Sequence, residues 1–207
     1  MGHAETIGNY RKKHEHIANW KQDIALVDSL GVDAYRLSIS WPRVMNADGS
    51  VNDIGMRFYV SLVDELVSRN MKVFVTLYHW DLPQYLEDDG GWLNRNTAYA
   101  FEKYARLVAQ TLGEKVYAYA TLNEPFCSAY LGYETGIHAP GKTGVSNGRN
   151  AAHHLLLAHG LALKSLREIC PKSLHGIVLN FSTCHAASHS DADKTATKWA
   201  DEYHNQW

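Results

Sequence analysis

The sequence predicts an α/β fold in which parallel strands alternate with helical crossovers. Helical stripes of apolar residues alternate with short β-rich runs. Residues suited to a left-handed helix end recur at Gly31, Asn70 and Gly113, which are 39 and 43 residues apart. The interiors of the β-rich runs are largely apolar on both faces, as a buried parallel sheet requires. These features together indicate a repeated helix–strand unit of about forty residues.

Each predicted helix is followed by a predicted strand. The helical stripes are Ile17, Trp20, Ile24 and Val27; Tyr59, Leu62, Val63, Leu66 and Val67; Phe101, Tyr104, Ala105, Val108 and Leu112; and Ala152, Leu155, Leu156, His159, Leu163 and Leu166. The strands that follow are 34–40, 73–79, 116–123 and 176–180, and a fifth helix is predicted over 192–207. The longest loop, 133–149, is rich in glycine. Because no linker interrupts the alternation, one domain over 1–207 is expected.

Composition and charge exclude several classes of function. The net charge of -2, with no basic block longer than 11–13, gives no surface for nucleic acid or an anionic membrane. Residues 1–10 lack the apolar core of a signal peptide, and no apolar run approaches the ~20 residues of a membrane span. The three cysteines are odd in number and lack metal-ligand spacing. We therefore expect a cytoplasmic protein with free thiols.

No motif in the sequence predicts a cofactor. The chain has no P-loop, no G-x-G-x-x-G and no G-x-S-x-G elbow. His153 and His154 are adjacent and so point apart on a helix, while His14 and His16 lack further ligands at metal-site spacing. We expect neither a metal nor an organic cofactor.

Polar residues gather at one place in each helix–strand unit, within or just past the carboxyl-terminal part of the strand. They are Arg36 in the first unit; His79, Trp80 and Asp81 in the second; Asn123 and Glu124 in the third; and Asn180 in the fourth. Both a β/α barrel and an open doubly wound sheet bind ligands at this end of their strands. The pattern therefore predicts a functional site there and leaves both architectures open.

Glu124 is the best candidate for acid–base chemistry. Leu122 and Pro125 could partly desolvate its carboxyl, which favours the protonated form. Asn123 beside it could hydrogen-bond a ligand hydroxyl. The competing interpretation is a structural carboxylate bound to a loop amide. His79 could be a general base, a metal ligand or a hydroxyl-binding donor, although a lone histidine at a strand end is more often structural.

The other polar residues also have two interpretations. Arg36 needs compensation if it is buried, and its natural partner is a carboxylate, either a catalytic nucleophile or one member of a structural ion pair. Asp81 is a second catalytic carboxylate or, as we favour, an anchor for its own loop. Cys127 follows the third strand without an evident base, so a thiol nucleophile is not expected.

Six stretches carry a resemblance to a known enzyme family. They are 33–43 (DAYRLSISWPR), 76–84 (TLYHWDLPQ), 90–92 (GGW), 121–125 (TLNEP), 138–141 (HAPG) and 176–180 (GIVLN). In order and spacing they resemble the family 1 glycoside hydrolases, the β-glucosidase and 6-phospho-β-glucosidase family. The resemblance covers nearly the whole chain from about His14. It implies strands two to five, with their helices, of a (β/α)8 TIM barrel that hydrolyses β-glycosides with retention.

The resemblance also implies roles for the residues at the strand ends. By position, Glu124 matches the general acid/base, and Asn123 matches the partner of the sugar 2-hydroxyl. The other matches are His79 and Trp80 as contacts of the same sugar, Arg36 as the partner of the nucleophile, and Asn180 on the aglycone side.

The sequence departs from the family pattern in four places. The first barrel strand with its Gln-Ile-Glu-Gly segment is absent, and so is the Thr/Ser-Glu-Asn-Gly segment that carries the nucleophile. The Asp-His-Tyr before the first helix is replaced by 15–17 (EHI), and Tyr119 stands where the family has a tryptophan. The chain therefore supplies one of the two carboxyl groups that retaining hydrolysis needs.

Four strands cannot close an eight-stranded barrel, so two strand edges and an apolar inner surface would face water. The chain could be part of an active β-glucosidase-like enzyme completed by a complementing chain. It could also be a module that binds β-glycosides or oligosaccharides without cleaving them, or a scaffold that self-associates through its strand edges. We expect the isolated chain to lack the parent activity.

Overall fold

The computed structural model describes residues 18–206. In chain order its elements are α1 (18–29), β1 (Ala34–Ser38), α2 (Trp41–Val44), α3 (Asp53–Ser68), β2 (Lys72–Tyr78), α4 (Gln84–Asp88), α5 (Asn96–Leu112), β3 (Ala118–Asn123), α6 (Val145–Ile169), β4 (Leu174–Val178) and α7 (Asp191–Asn205). Within 18–206, every helix falls short of the length and hydropathy that a membrane span requires. The predictions that concern residues 1–17, including Ile17, His14 and His16, lie outside the described residues, as does Trp207.

The four strands form one parallel sheet in the order β1-β2-β3-β4. Each strand pairs with the next one along the chain, as in the wall of a β/α barrel. A doubly wound sheet would instead reverse its strand order at a switch point. The predicted α/β fold with parallel strands is confirmed, and the sequential order favours the barrel arrangement over the doubly wound one.

One face of the sheet packs against the helices. Val73, Val75 and Leu77 alternate along β2 and are at most 1% exposed. The predicted apolar stripe of α5 is buried, and within it Tyr104 stacks on Trp41 with ring centroids 5.0 Å apart. The Tyr104 hydroxyl donates a 2.8 Å hydrogen bond to the carbonyl oxygen of Leu77. Amphipathic helices thus cover the strands through aromatic packing, in which the Tyr104 hydroxyl has a partner and the buried indole Nε1 of Trp41 has none.

The other face of the sheet is lined mainly by small residues. Phe74 pairs with Ala118, and Thr76 pairs with Ala120, which in turn pairs with Gly176. Paired residues on neighbouring strands share a face, so these side chains line one surface. With Arg36 they enclose part of a cavity of about 270 Å³. This surface corresponds to the interior of the barrel that the sequence predicts.

The predicted helix ends have positive φ values, although the ψ of Gly113, -150°, lies outside the left-handed helical region. Gly31, Asn70 and Gly113 have φ values of 69°, 60° and 58°. At the other end of α3, the side chain of Asn52 accepts a 3.2 Å hydrogen bond from the backbone N–H of Gly55. Such caps satisfy backbone groups that have no partner within the helix and so fix where each helix begins and ends.

The boundaries of several predicted elements are corrected. β4 ends at Val178, so Asn180 lies beyond the strand, and β3 begins at Ala118 rather than at 116. The fourth predicted helix begins earlier, at Val145, which shortens the predicted loop 133–149. A π turn, Cys127–Leu131, follows β3 and precedes the predicted loop. The short helices α2 and α4 were not predicted, because four or five residues are too few to show helical periodicity.

Candidate active site

The predicted site residues meet at the carboxyl ends of the strands. Asn123 is the last residue of β3 and is 4% exposed. Its Oδ1 accepts a 2.6 Å hydrogen bond from Nη2 of Arg36, whose Nε donates to Oγ1 of Thr76 at 3.0 Å. The indole Nε1 of Trp80 donates to the backbone carbonyl of Asn123 at 2.9 Å. Asn123 therefore holds three neighbouring strands together at this end.

The partners of Arg36 differ from the carboxylate that the sequence predicted for a buried arginine. Its side chain lies on β1 and is exposed rather than buried, and its hydrogen bonds go to an amide oxygen and a hydroxyl. Because these partners are neutral, the positive charge of the guanidinium is still present at the carboxyl end of the sheet. Its predicted pairing with a nucleophile stays a prediction.

Glu124 follows β3 in a backbone conformation that non-glycine residues rarely adopt. Its φ is 46°, and its N–H donates a 2.8 Å hydrogen bond to the carbonyl oxygen of Val178 on β4. Its own carbonyl accepts from the N–H of Cys127 at 2.8 Å. Left-handed residues of this kind cost on the order of 1–2 kcal/mol and concentrate at functional sites. Here the bond to β4 and the turn after β3 hold Glu124 in that conformation.

Cys127 was not predicted to contact Glu124. The thiol lies 3.4 Å from Oε2 of Glu124 and donates to it, and the Cys127 residue is 7% exposed. Burial, together with the hydrogen bond and negative charge of Glu124, raises the pKa of Cys127 to about 11. The thiol is therefore protonated at neutral pH, in keeping with the expectation that it is not a nucleophile. The sequence signal was the i, i+3 spacing of the two residues at the start of a helical turn.

The residues that follow β2 form an aromatic rim beside Asn123. His79 and Trp80 lie in a bend after the strand, with ring centroids 5.2 Å apart. Trp80 has a φ of 80°, is 39% exposed, and faces His138 across 5.4 Å. Trp80 and Glu124 are two of the three non-glycine residues with positive φ in the described chain, the third being Asn70. Trp80 lies in the bend that follows β2, and Glu124 is the first residue after β3.

Asp81 is half-buried behind this rim. Burial is the main cause of the raised pKa values of Tyr59, Tyr78 and Tyr104, and the negative charge of Asp81 raises all three further. A carboxylate among buried phenols is consistent with the anchoring role that the sequence favoured over a catalytic one. That role stays a prediction.

A groove of about 1130 Å³ opens between the loops that follow β2 and β3. Trp80 and Cys127 belong to its lining and connect it to Glu124. On its far side, Lys142 Nζ lies 2.5 Å from Oε1 of Glu87, and the hydroxyl of Tyr133 donates to Oε2 of Glu87 at 2.5 Å. The groove thus combines aromatic faces with fixed polar groups, which is typical of a small-molecule site.

Asn180 lies beyond the end of β4 on the other side of Glu124. Its Nδ2 donates to the sulfur of Cys127 at 3.8 Å. Phe126, which follows Glu124 by two residues, stacks on Tyr130 with ring centroids 4.8 Å apart. The site residues predicted on all four strands thus share one end of the sheet, while Phe126 and Tyr130 are neighbours that the sequence did not single out. Among residues 18–206, no three His, Cys, Asp or Glu side chains are grouped to hold a metal.

The profile described as Glycosyl hydrolase family 1 matches residues 7–207. The chain belongs to glycosyl hydrolase family 1. A β-glucosidase of Agrobacterium sp. is 42% identical over 192 residues, which cover 92% of this chain and 42% of that protein. β-Glucosidase A of Thermotoga maritima is 40% identical over 92% of this chain and 43% of that protein. The resemblance that the sequence motifs indicated is confirmed.

Solved structures agree with the sequence comparisons. The AHE enzyme from Alicyclobacillus herbarius has a TM-score of 0.91 and 44% identity, covering 93% of this chain and 44% of its own. The virulence factor SghA from Agrobacterium tumefaciens, solved with its substrate analogue salicin, has a TM-score of 0.89 and 44% identity, covering 92% of this chain and 42% of its own. The chain therefore spans less than half the length of the family 1 proteins it matches, and the TIM-barrel prediction is confirmed as a partial barrel.

Proposed function

We propose that this chain carries the acid/base half of a retaining β-glycosidase site, with Glu124 as the proton donor. The proposal rests on the position of Glu124, half-buried at the carboxyl end of β3 in a left-handed conformation, directly after the hydrogen-bonded Asn123. Several relatives are named β-glucosidases, including those of Agrobacterium sp. and T. maritima. Loop carboxylates with an ordinary structural role seldom need such a strained backbone.

In the proposed reaction, the protonated carboxyl of Glu124 gives its proton to the glycosidic oxygen as the bond to the anomeric carbon breaks. A second carboxylate, supplied from outside this chain, attacks that carbon and forms a covalent glycosyl intermediate. The Glu124 carboxylate then takes a proton from the water that releases the sugar. The net configuration at the anomeric carbon is retained.

Asn123 is suited to orient the sugar. Because Arg36 donates to its Oδ1, the Nδ2 group is left as the donor that can reach a sugar hydroxyl, which we assign as the 2-hydroxyl. The exposed faces of His79 and Trp80 lie beside it. Aromatic faces pack on the apolar faces of sugars while imidazole nitrogens bind hydroxyls, so we assign these two residues to the same sugar. Asn180 would lie on the aglycone side.

We infer that the nucleophile lies in a part of the family 1 barrel outside residues 1–207. The relatives are more than twice as long as their matched segments. We infer that a complementing polypeptide segment binds the inner face and the outer strands β1 and β4 and brings the second carboxylate near Arg36. The cytoplasmic location, expected from the three free cysteines, stays a prediction.

The test is hydrolysis of an aryl β-glucoside by the purified chain, alone and mixed with a polypeptide that carries the remaining strands of a family 1 relative. We expect no turnover above background from the chain alone and turnover from the mixture. Glu124→Gln should abolish the regained activity, whereas Glu114→Gln, at the opposite end of β3, should retain it. Equal activity of Glu124→Gln and wild type in the mixture would refute the assignment of Glu124.

A second candidate function is sugar binding without cleavage. It is favoured by the aromatic rim of His79, Trp80 and His138, which is already assembled in the half-barrel. Calorimetric titration with cellobiose tests it. We expect saturable binding in the millimolar range that Trp80→Ala removes. Tyr117→Ala, which changes an exposed aromatic residue just before β3 at the opposite end of the sheet, should leave binding intact. Absence of saturable heat would exclude this function.

A further inference from the structure

A line of polar contacts runs from Asn180 through Cys127 to Glu124. The amide Nδ2 of Asn180 donates to the sulfur of Cys127 at 3.8 Å, and the thiol donates to Oε2 of Glu124 at 3.4 Å. Cys127 is 7% exposed, so little water competes for its thiol. The loops that follow β3 and β4 are therefore joined through one sulfur atom beside the proposed proton donor.

The local backbone explains why the thiol reaches the carboxylate. The N–H of Cys127 donates to the carbonyl of Glu124 at 2.8 Å and so closes a turn between the two residues. Side chains three residues apart in a helical turn lie on the same side. A π turn, Cys127–Leu131, begins at this residue, and π turns within helices occur frequently at functional sites.

The backbone of Glu124 is fixed by hydrogen bonds on both sides, but its side chain still has three rotatable bonds. Val178 accepts from its N–H and Cys127 donates to its carbonyl, while the Oε2 atom is held by the thiol. A carboxyl that must face a scissile bond gains rate when its orientation is set in advance. The Cys127 thiol is a group placed to do this from within the same turn.

We propose that Cys127 is a positioning residue for Glu124, holding Oε2 through its S–H group while Asn180 orients the sulfur. The inference rests on the proposed function, because positioning matters only if Glu124 transfers protons. It leaves Oε1 as the atom that faces the glycosidic oxygen. A thiol is a weak donor, so it orients the carboxyl without strongly opposing the protonation that each turnover requires.

The charge that acts on this thiol is that of Glu124. Burial comes first and Glu124 second among the causes that raise the pKa of Cys127 to about 11. Removing the negative charge should therefore lower the thiol pKa and increase the thiolate fraction at pH 9, by about tenfold for each pKa unit. This response depends on the contact and does not depend on sugar cleavage.

The first measurement is the rate of iodoacetamide alkylation at Cys127 between pH 7 and pH 10, followed by peptide mass spectrometry on the purified chain. We expect Glu124→Gln to raise the rate at pH 9 several-fold and Glu124→Asp, which withdraws the carboxylate, to give an intermediate rate. Glu114→Gln should match wild type at Cys127. Superimposed profiles for wild type and Glu124→Gln would overturn the proposal.

The second measurement reports the reactivity of the Glu124 carboxyl. Carbodiimide-driven amine coupling at Glu124 is quantified by mass spectrometry in wild type, Cys127→Ala and Cys127→Ser. We expect the alanine variant to label Glu124 several-fold faster, because the carboxyl is released, and the serine variant to restore slow labelling through its hydroxyl donor. Equal labelling in all three proteins would refute the positioning role. Neither measurement uses turnover, so a failure of the glycosidase proposal would appear separately, in the aryl glucoside assay.

Discussion

At the scale of single residues, His159 shows how burial can make the stability of this half-barrel depend on pH. The imidazole lies on α6, and its Nδ1 shares a 2.7 Å hydrogen bond with Oγ1 of Thr121 on β3. Burial, and to a lesser degree the positive charge of Arg167, lowers the pKa of His159 below its ordinary value of 6.5. The folded chain therefore holds this imidazole neutral at a pH where the unfolded chain already binds a proton.

His159→Gln tests this coupling. Since the folded-state pKa is the lower one, the wild type should lose free energy of unfolding as pH falls through 6.5 towards the folded-state pKa. Glutamine keeps a polar partner for Thr121 but does not titrate, so the variant should lose less stability between pH 7 and pH 5.5. Urea unfolding at the two pH values measures the difference. Equal losses in both proteins would show that His159 is not buried as described.

The residues of the site differ in how far the sequence could predict them. Because parallel strands end at a common edge, the meeting of Arg36, Trp80 and Asn123 follows from the helix–strand pattern. The partners of Arg36 did not follow, since an amide and a hydroxyl can replace a carboxylate. The contact of Cys127 with Glu124 depends on a π turn and a left-handed residue, which hydrophobic periodicity does not reveal.

At the scale of elements, α3 packs very close to the short helix α2. A Cβ atom built on Gly55 would lie 2.0 Å from the backbone carbonyl oxygen of Arg43. Backbone cannot yield as a flexible side chain does, so glycine is required at this approach. Gly160 on α6 is the opposite case, being exposed with no atom within 4 Å of the built Cβ.

The two glycines make a matched pair of substitutions. Gly55→Ala should lower the free energy of unfolding by about 1–3 kcal/mol through overpacking. Gly160→Ala should raise it by about 0.4–1 kcal/mol, because alanine favours the helix and restricts the unfolded chain. Urea unfolding measured by circular dichroism gives both values. A stabilised Gly55→Ala protein would mean that α2 and α3 are further apart than described.

Helices and caps were predicted better than strand ends. The apolar stripe of α5 is buried, and so is that of α3 apart from the exposed Val67. Asn70 and Gly113 have the positive φ expected at these helix ends, because periodicity and cap chemistry are local properties.

The limits of a strand depend on where the neighbouring strand pairs with it. The predicted bounds of β4, 176–180, therefore differ from the observed Leu174–Val178. The early start of α6 was missed because Gly144, its N-cap, and Gly148, in its first turn, make this stretch resemble a loop.

At the scale of the whole molecule, the outer strands determine how the isolated chain behaves. β1 and β4 each pair with one neighbour in the described sheet, and Leu174 on β4 is exposed. Open edges beside apolar side chains are templates for pairing with another chain. A closed barrel has no such open edges.

Self-association is therefore expected for the isolated chain. Its sedimentation coefficient should rise with concentration between roughly 1 and 100 μM, a range in which weak edge pairing is observable. Leu174→Lys should shift the protein towards monomer, because charge on an edge strand opposes pairing. Ile137→Lys, at an even more exposed apolar position on a loop, should leave the behaviour unchanged. A wild-type chain that stays monomeric throughout this range would contradict the expectation.

The central claim, that Glu124 is the acid/base of a completed family 1 site, is tested most directly by azide rescue. The Glu124→Gln chain is mixed with a polypeptide that carries the remaining barrel strands and is given an activated aryl β-glucoside with and without azide. Because azide attacks the glycosyl intermediate without a general base, we predict restored turnover and a β-glucosyl azide product. If the complemented wild type turns over but the variant forms no glycosyl azide, Glu124 is not the acid/base.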